Sequence, residues 1–183
     1  MRRLTSSSFL AALLLLVCSQ AGFADKAIVV ALGASQTYGT GYGTSLGSGV
    51  DKSQAFPAQL EALLRAKGVD VQVINAARMG DTTAGVLSRL DSDVPAGAKV
   101  AIFEGPMNDS VKGLGWQTKD NINAIFSKLR DRNINVISVP RDRVRREVYL
   151  NDSLMNGDHP NAAGQAKIAA WLLPLVLSAL RGK

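Results

Sequence analysis

The sequence has almost no thiol and almost no imidazole: one cysteine, Cys18, and one histidine, His159, in 183 residues. Disulfides need pairs of cysteines, and structural zinc sites and His-rich catalytic metal centres need several such ligands, so none of these is expected. Aromatic residues are scarce at 5%, beside 20% charged and 46% hydrophobic residues. Such a composition excludes a disordered chain, a collagen-like chain and a protein of many membrane spans. Internal repeats, linkers and low-complexity tracts are missing too, apart from one apolar run near the N-terminus, and the length suits one domain with its own core.

That run belongs to a recognisable leader. Met1-Arg2-Arg3 is a basic n-region, Phe9 to Cys18 (FLAALLLLVC) an apolar h-region, and Gly22-Phe23-Ala24 places small residues where a signal peptidase reads. The run is shorter than the roughly 20 residues of a membrane span. The expectation is a signal peptide over residues 1–24, cleaved after Ala24, a folded domain over 25–183, and a periplasmic or secreted protein. An uncleaved anchor and lipidation at Cys18 are the alternatives, and the bulk of Val17 disfavours the second. Cleavage leaves 19 of the 21 basic side chains against all 15 acids, a balance of +4, and no cysteine. Such a chain has to be held by burial alone.

Val- and Ile-rich runs then alternate with stretches of helical period. Strands are expected at Lys26 to Leu32, Val69 to Ala76, Lys99 to Glu104 and Ile134 to Val139. Helices are expected at Gln54 to Lys67, with Phe56, Leu60, Leu63 and Leu64 on one face and Gly68 as terminator, and at Thr83 to Leu90, Asn121 to Asp131 and Asn161 to Leu180. Alternation of this kind gives βαβ units and a parallel sheet covered on both faces. Glu147 to Leu150 (EVYL) offers a minimal fifth strand. Ligands of such sheets sit outside the carboxyl ends of the strands, so residues just after strands are where chemistry is sought.

Those positions read Gly33-Ala34-Ser35, Asn75 to Thr82 (NAARMGDT), Gly105-Pro106-Met107-Asn108-Asp109 and, before the last helix, Asn156-Gly157-Asp158-His159-Pro160-Asn161. Together they resemble, in order, the four sequence blocks of the SGNH (GDSL-type) hydrolases, over nearly all of the chain after the leader. LGASQTYGTGYG, NAARMGDTTAGVLSRL and DHPNAAGQ are most similar to the small periplasmic thioesterase, lysophospholipase and arylesterase branch. The resemblance implies a three-layer α/β/α, flavodoxin-like fold with a parallel sheet of four to five strands. It also implies that the family's Ser, Gly, Asn and His are Ser35, Gly80, Asn108 and His159.

Acyl transfer needs a hydroxyl whose proton a base can take and donors aimed at the oxygen that becomes negative. Ser35 fits the first need at a strand exit, and with a single imidazole in the chain any Ser–His mechanism must use His159. The N–H groups of Ser35 and Gly80 and the Asn108 amide would then form an oxyanion hole, glycine at 80 permitting close approach and a φ that a side chain penalises. Taken singly, each has a plainer reading. Ser35 can be a turn serine capping a helix, Gly80 a turn or C-cap glycine, Asn108-Asp109 a turn, and His159-Pro160 the lead into a helix.

Two positions depart from the family pattern. Its Gly-Asp-Ser reads Gly-Ala-Ser here, which bears on loop geometry at Ala34. Its Asp-x-x-His carboxylate is Asn156. In the serine-protease case an amide at the orienting position costs roughly 10⁴ in turnover. Three readings follow: Asn156 orients His159 through its carbonyl oxygen, Asp158 or Asp152 substitutes, or the protein is attenuated and keeps a binding role.

The function expected is a monomeric serine esterase of small or single-chain acyl esters or thioesters, needing no metal or cofactor. A carbohydrate O-acetyl esterase and an attenuated binding protein are the alternatives. Gly39-x-Gly41-x-Gly43 has the wrong spacing for dinucleotide binding, and Asn75 stands where that fingerprint needs an acid. Nucleic-acid binding lacks an aromatic platform or a motif. The four arginines in Arg141 to Arg146 read as a solvated face, or as a patch for an anionic membrane or cell-wall polymer.

Overall fold

The computed structural model describes residues 26–39, 50–105, 108–140, 153–154 and 159–182. The first apolar run forms β1, Ala27–Leu32, whose Val29, Val30, Ala31 and Leu32 are all fully buried. A strand covered on both faces needs a continuous apolar sequence rather than an alternating one. After it come α1 (Ser35–Tyr38), α2 (Phe56–Ala66), β2 (Val71–Asn75), α3 (Thr83–Asp93), β3 (Ala98–Glu104), α4 (Thr118–Asp131) and β4 (Asn135–Val139). A two-residue pair, β5 (Ser153–Leu154) with β6 (His159–Pro160), precedes the last helix, α5 (Ala162–Arg181).

The four long strands make one parallel sheet in the order β2-β1-β3-β4. Successive side chains of a strand point to opposite faces, and the core divides accordingly. Val29 and Ala31 of β1 pack with Phe56, Leu60 and Leu64 of α2 and Ile168, Ala169 and Leu172 of α5. Val30 and Leu32 pack on the other face with Val86 and Leu90 of α3 and Ile125 and Leu129 of α4. The result is the three-layer α/β/α fold. A register shift between Ile28 and Val29, opposite Ala98 and Val100, sends those two β3 residues to opposite faces where plain alternation would share one.

Local chemistry sets the helix ends. Pro57 lies in the first turn of α2, where its missing N–H costs nothing, and Gly68 just beyond that helix has φ +78°. Thr82 and Asn161 cap α3 and α5 by accepting from the N–H groups of Gly85 and Gly164. α4 starts at Thr118, three residues ahead of the apolar period, because a 3-10 turn over Gly115–Gln117 leads into it. α5 is long and apolar enough to cross a membrane, and one face of it, with Ile168, Leu172 and Val176, is buried against α2 and the sheet. The candidate fifth strand, Glu147 to Leu150, lies outside the described residues.

Strand order reverses beside β1, with β2 on one side and β3 on the other. A crevice opens at such a switch point, at the carboxyl ends of the strands.

Candidate active site

Three strand-end segments and the lead into α5 converge on that crevice. Ser35 is the first residue of α1, itself one turn long, and not part of an extended loop. The capping role is not what the structure shows, since the N-cap residue is Ala34 and no side chain caps the helix. Instead, Ser35 Oγ lies 2.8 Å from Nε2 of His159, across 124 residues of sequence. Ser35 is 5% exposed and His159 partly buried. The backbone of His159 is held in β6 by antiparallel pairing with Leu154.

α1 is too short to fix its own direction, since a first helical turn is unfavourable in isolation. Side chains from elsewhere hold it. Asn75 Nδ2, at the end of β2, donates to the carbonyls of Thr37 at 3.0 Å and Tyr38 at 3.3 Å. Thr37 Oγ1 donates to Glu104 Oε2, at the end of β3, at 2.5 Å, in a buried contact. Gln165 Nε2, from the first turns of α5, donates to the carbonyl of Gln36 at 2.9 Å. A Cβ on Gly33 would run into Thr37 Oγ1 and Glu104 Oε2, so only glycine lets this cluster close beneath the turn. Gly39 ends α1 with φ +104°, its N–H reaching Ser35 O at 3.0 Å; Gly41 and Gly43 lie outside the described residues.

Gly80, in the turn after β2, has φ +68°, a left-handed value costly for residues with a Cβ. Its carbonyl accepts from Lys112 Nζ at 2.6 Å. Next to it, Asp81 is locked by the buried Arg89, whose Nε and Nη2 both donate to Oδ2. Arg89 Nη1 reaches the carbonyl of Ala76 at 2.7 Å and also pairs with Asp93. Asn108 docks on this braced turn, its backbone N–H and its Nδ2 donating to Asp81 O at 3.2 and 2.8 Å. A primary amide has two N–H groups, and this bond engages one of them.

Asp109, expected as a turn residue, does lie in a turn but is completely buried. It accepts from Thr83 N at 2.9 Å, from Thr83 Oγ1, and from Thr118 Oγ1 at 3.1 Å, so it ties the loop after β3 to the starts of α3 and α4. The sequence reading missed Asp109, Glu104, Arg89 and Gln165; the only signal for them was polarity beside apolar positions. The expected orienting residues Asn156, Asp158 and Asp152 lie outside the described residues, as does Arg141 to Arg146. A cavity of about 220 Å³ beside α1 is lined by Tyr38, Lys52, Glu61 and Asn75 among others, but not by Ser35 or His159. Among the described residues, no group of three or more His, Cys, Asp or Glu side chains is placed to hold a metal ion.

At 2.8 Å, a proton can pass from Ser35 Oγ to Nε2 of His159. Residues 31–153 match the family described as GDSL-like Lipase/Acylhydrolase. The sequence is 33% identical to Esterase TesA of Pseudomonas aeruginosa over 94 residues, 49% of this chain and 45% of that one, so the match spans less than half of that relative. Among solved structures the chain is similar to TesA, at 22% identity and TM-score 0.64, covering 81% of this chain and 97% of that chain. It is similar to the psychrotrophic esterase EstA from Pseudoalteromonas sp., at 17% identity and TM-score 0.67, covering 85% and 99%. It is also similar to a carbohydrate acetylesterase family member from Sinorhizobium meliloti, at 15% identity and TM-score 0.61, covering 84% and 99%. At these identities the structural likenesses establish the fold.

Proposed function

The chain belongs to the GDSL-like lipase/acylhydrolase family, and from that premise we propose that it is an exported serine esterase of small or single-chain acyl esters or thioesters. The observation that carries this reading is the 2.8 Å approach of Ser35 Oγ to Nε2 of the chain's sole histidine. Export rests on the basic n-region, apolar h-region and small residues that end at Ala24, and places the protein in the periplasm or outside the cell.

In this mechanism Ser35 Oγ attacks the acyl carbonyl while His159 Nε2 takes its proton. The oxyanion is met by the N–H groups of Ser35 and Gly80 and the free Nδ2–H of Asn108. An N–H in the first turn of a helix has no acceptor within that helix, which suits Ser35 N–H to the task. Collapse of the tetrahedral intermediate expels the alcohol or thiol, which receives the proton from His159. Water, deprotonated by the same imidazole, then attacks the acyl carbon, and the imidazolium returns that proton to Ser35 Oγ as the acid leaves. The imidazole is oriented by Asn156, or by Asp158 or Asp152 in its stead. The protein acts as a monomer without metal, cofactor or nucleic acid, and Arg141 to Arg146 serve as a solvated face or, in the alternative, as a peripheral contact for an anionic membrane or cell-wall polymer.

The likeness to a carbohydrate acetylesterase family member supports a second reading, removal of O-acetyl groups from carbohydrate. Hydrolysis of a p-nitrophenyl ester series from acetate to octanoate, beside an acetylated glycan, separates the two by chain length and leaving group. A fluorophosphonate probe should label Ser35. If the purified protein hydrolyses none of these and takes up no label, the proposal gives way to a binding protein that uses the same cleft.

A further inference from the structure

We infer that Gln165 is a positioning residue, whose amide keeps the nucleophile turn in register with the histidine that precedes its own helix; this rests on the Ser35–His159 reading above. Ser35 and His159 belong to different ends of the chain, so their 2.8 Å contact has to be maintained by whatever couples α1 to the start of α5. Asn75 and Glu104 fix α1 against the sheet. Gln165 is the clamp that comes from the α5 side. Its Nε2 donates to the carbonyl of Gln36, the residue after Ser35, at 2.9 Å. Its Oε1 accepts from Phe56 N, at the start of α2, at 2.8 Å.

The side chain is 1% exposed and shares the buried face of α5 with Ile168, Ala169 and Leu172. Packing alone would be served there by a hydrocarbon, since a buried amide costs free energy unless both of its ends are paired. Here both are paired, one to the nucleophile turn and one to a neighbouring helix. The amide therefore supplies direction: a displacement of α5 relative to α1 has to stretch the Gln165–Gln36 bond before it opens the Ser35–His159 pair. Misplacement of a reacting group by about 1 Å can cost on the order of 10²-fold in rate.

The test compares Gln165→Met, which keeps length and loses both hydrogen bonds, with Val176→Ala, a buried position farther along α5. Both are made in the tag-free protein, with Ser35→Ala as reference. Ester turnover, fluorophosphonate labelling rate and thermal unfolding are measured on each. So is the His159 Cε1–H resonance at a pH where the ring is neutral, which is unambiguous in a chain with one histidine. For Gln165→Met, kcat and labelling should fall about 10- to 10²-fold with little change in KM, and the resonance should move in the direction seen in Ser35→Ala. Val176→Ala should lower Tm and leave kcat and the resonance unchanged. Should Gln165→Met not fold, Gln165→Glu keeps an acceptor for Phe56 N and, once ionised, sets a carboxylate oxygen against the carbonyl of Gln36, so the same outcome is expected at a pH above the ionisation of that acid. Wild-type kcat and resonance in the Gln165 variant, or an equal loss of kcat in Val176→Ala, overturns the inference. Hydrolysis by Ser35→Ala at the wild-type rate would sink the esterase reading instead, and the resonance would still decide the role of Gln165.

Discussion

The segments that follow β1 and β3 do comparable jobs and are held in opposite ways. After β1, the one-turn helix carrying Ser35 is gripped from outside, on its carbonyls and the Thr37 hydroxyl, by Asn75, Glu104 and Gln165 from three different elements. After β3, the loop carrying Asn108 anchors itself: Asp109 reaches into the protein and takes the donors of Thr83 and Thr118, while Asn108 latches onto Asp81. The carbonyl grips of Asn75 and Gln165 can be lost without stranding a buried charge, so the main consequence of losing them is a change in geometry, whereas Glu104, a buried carboxylate on the Thr37 hydroxyl, behaves as an anchor does. An anchor that is itself a buried carboxylate leaves polar groups unpaired when removed, and its main consequence is a loss of stability.

Four substitutions press on that contrast. The largest effect is expected for Ser35→Ala, which deletes the proposed nucleophile: turnover should fall by more than about 10³-fold with Tm unchanged, and a variant retaining a tenth of wild-type turnover would sink the mechanism. Asn108→Ala removes one proposed oxyanion donor, so kcat should drop about 10²- to 10³-fold with far less change in KM. Steady-state kinetics showing an intact kcat would take Asn108 out of the site.

Asp109→Ala tests the anchor. It strands the N–H and hydroxyl of Thr83 in a buried place, costing about 1–3 kcal/mol, read as a fall in Tm of about 2–4 °C per kcal/mol. Turnover per folded molecule should suffer less than in Asn108→Ala. A wild-type Tm would erase the distinction between grip and anchor. The smallest effect is a gain. Asn156→Asp should raise turnover at least about tenfold by giving His159 a negative acceptor, within the range of general-base assistance. If Asp158 or Asp152 already orients the ring, that change does little, and Asp158→Asn or Asp152→Asn becomes the damaging one.

The long elements were legible because their signal is carried by many residues. β1 through β4 appear as Val- and Ile-rich runs, and α2 shows its face at Phe56, Leu60, Leu63 and Leu64, with Gly68 marking its end. α1 was not legible, because four residues cannot display a period of 3.6. The early start of α4 was hidden by Thr118, Lys119 and Asp120, which are polar and carry no periodicity. Asp109 read as a turn residue because an Asn-Asp pair favours turns wherever it occurs; its burial comes from Thr83 and Thr118, brought to it by α3 and α4.

By itself the sequence determined the layer architecture and the short list of reactive groups, since both follow from residue types and local spacing: continuous apolar strands must be covered on two faces, and a single histidine leaves one candidate base. The tertiary structure decided which polar groups hold that list together. The approach of Ser35 to His159, the bond from Thr37 to Glu104, and the bridge from Gln165 to Gln36 and Phe56 each join segments far apart in the chain. Hydrogen bonds of that kind depend on distances of a few tenths of an ångström, which strand order and helix packing fix and residue spacing along the chain does not encode.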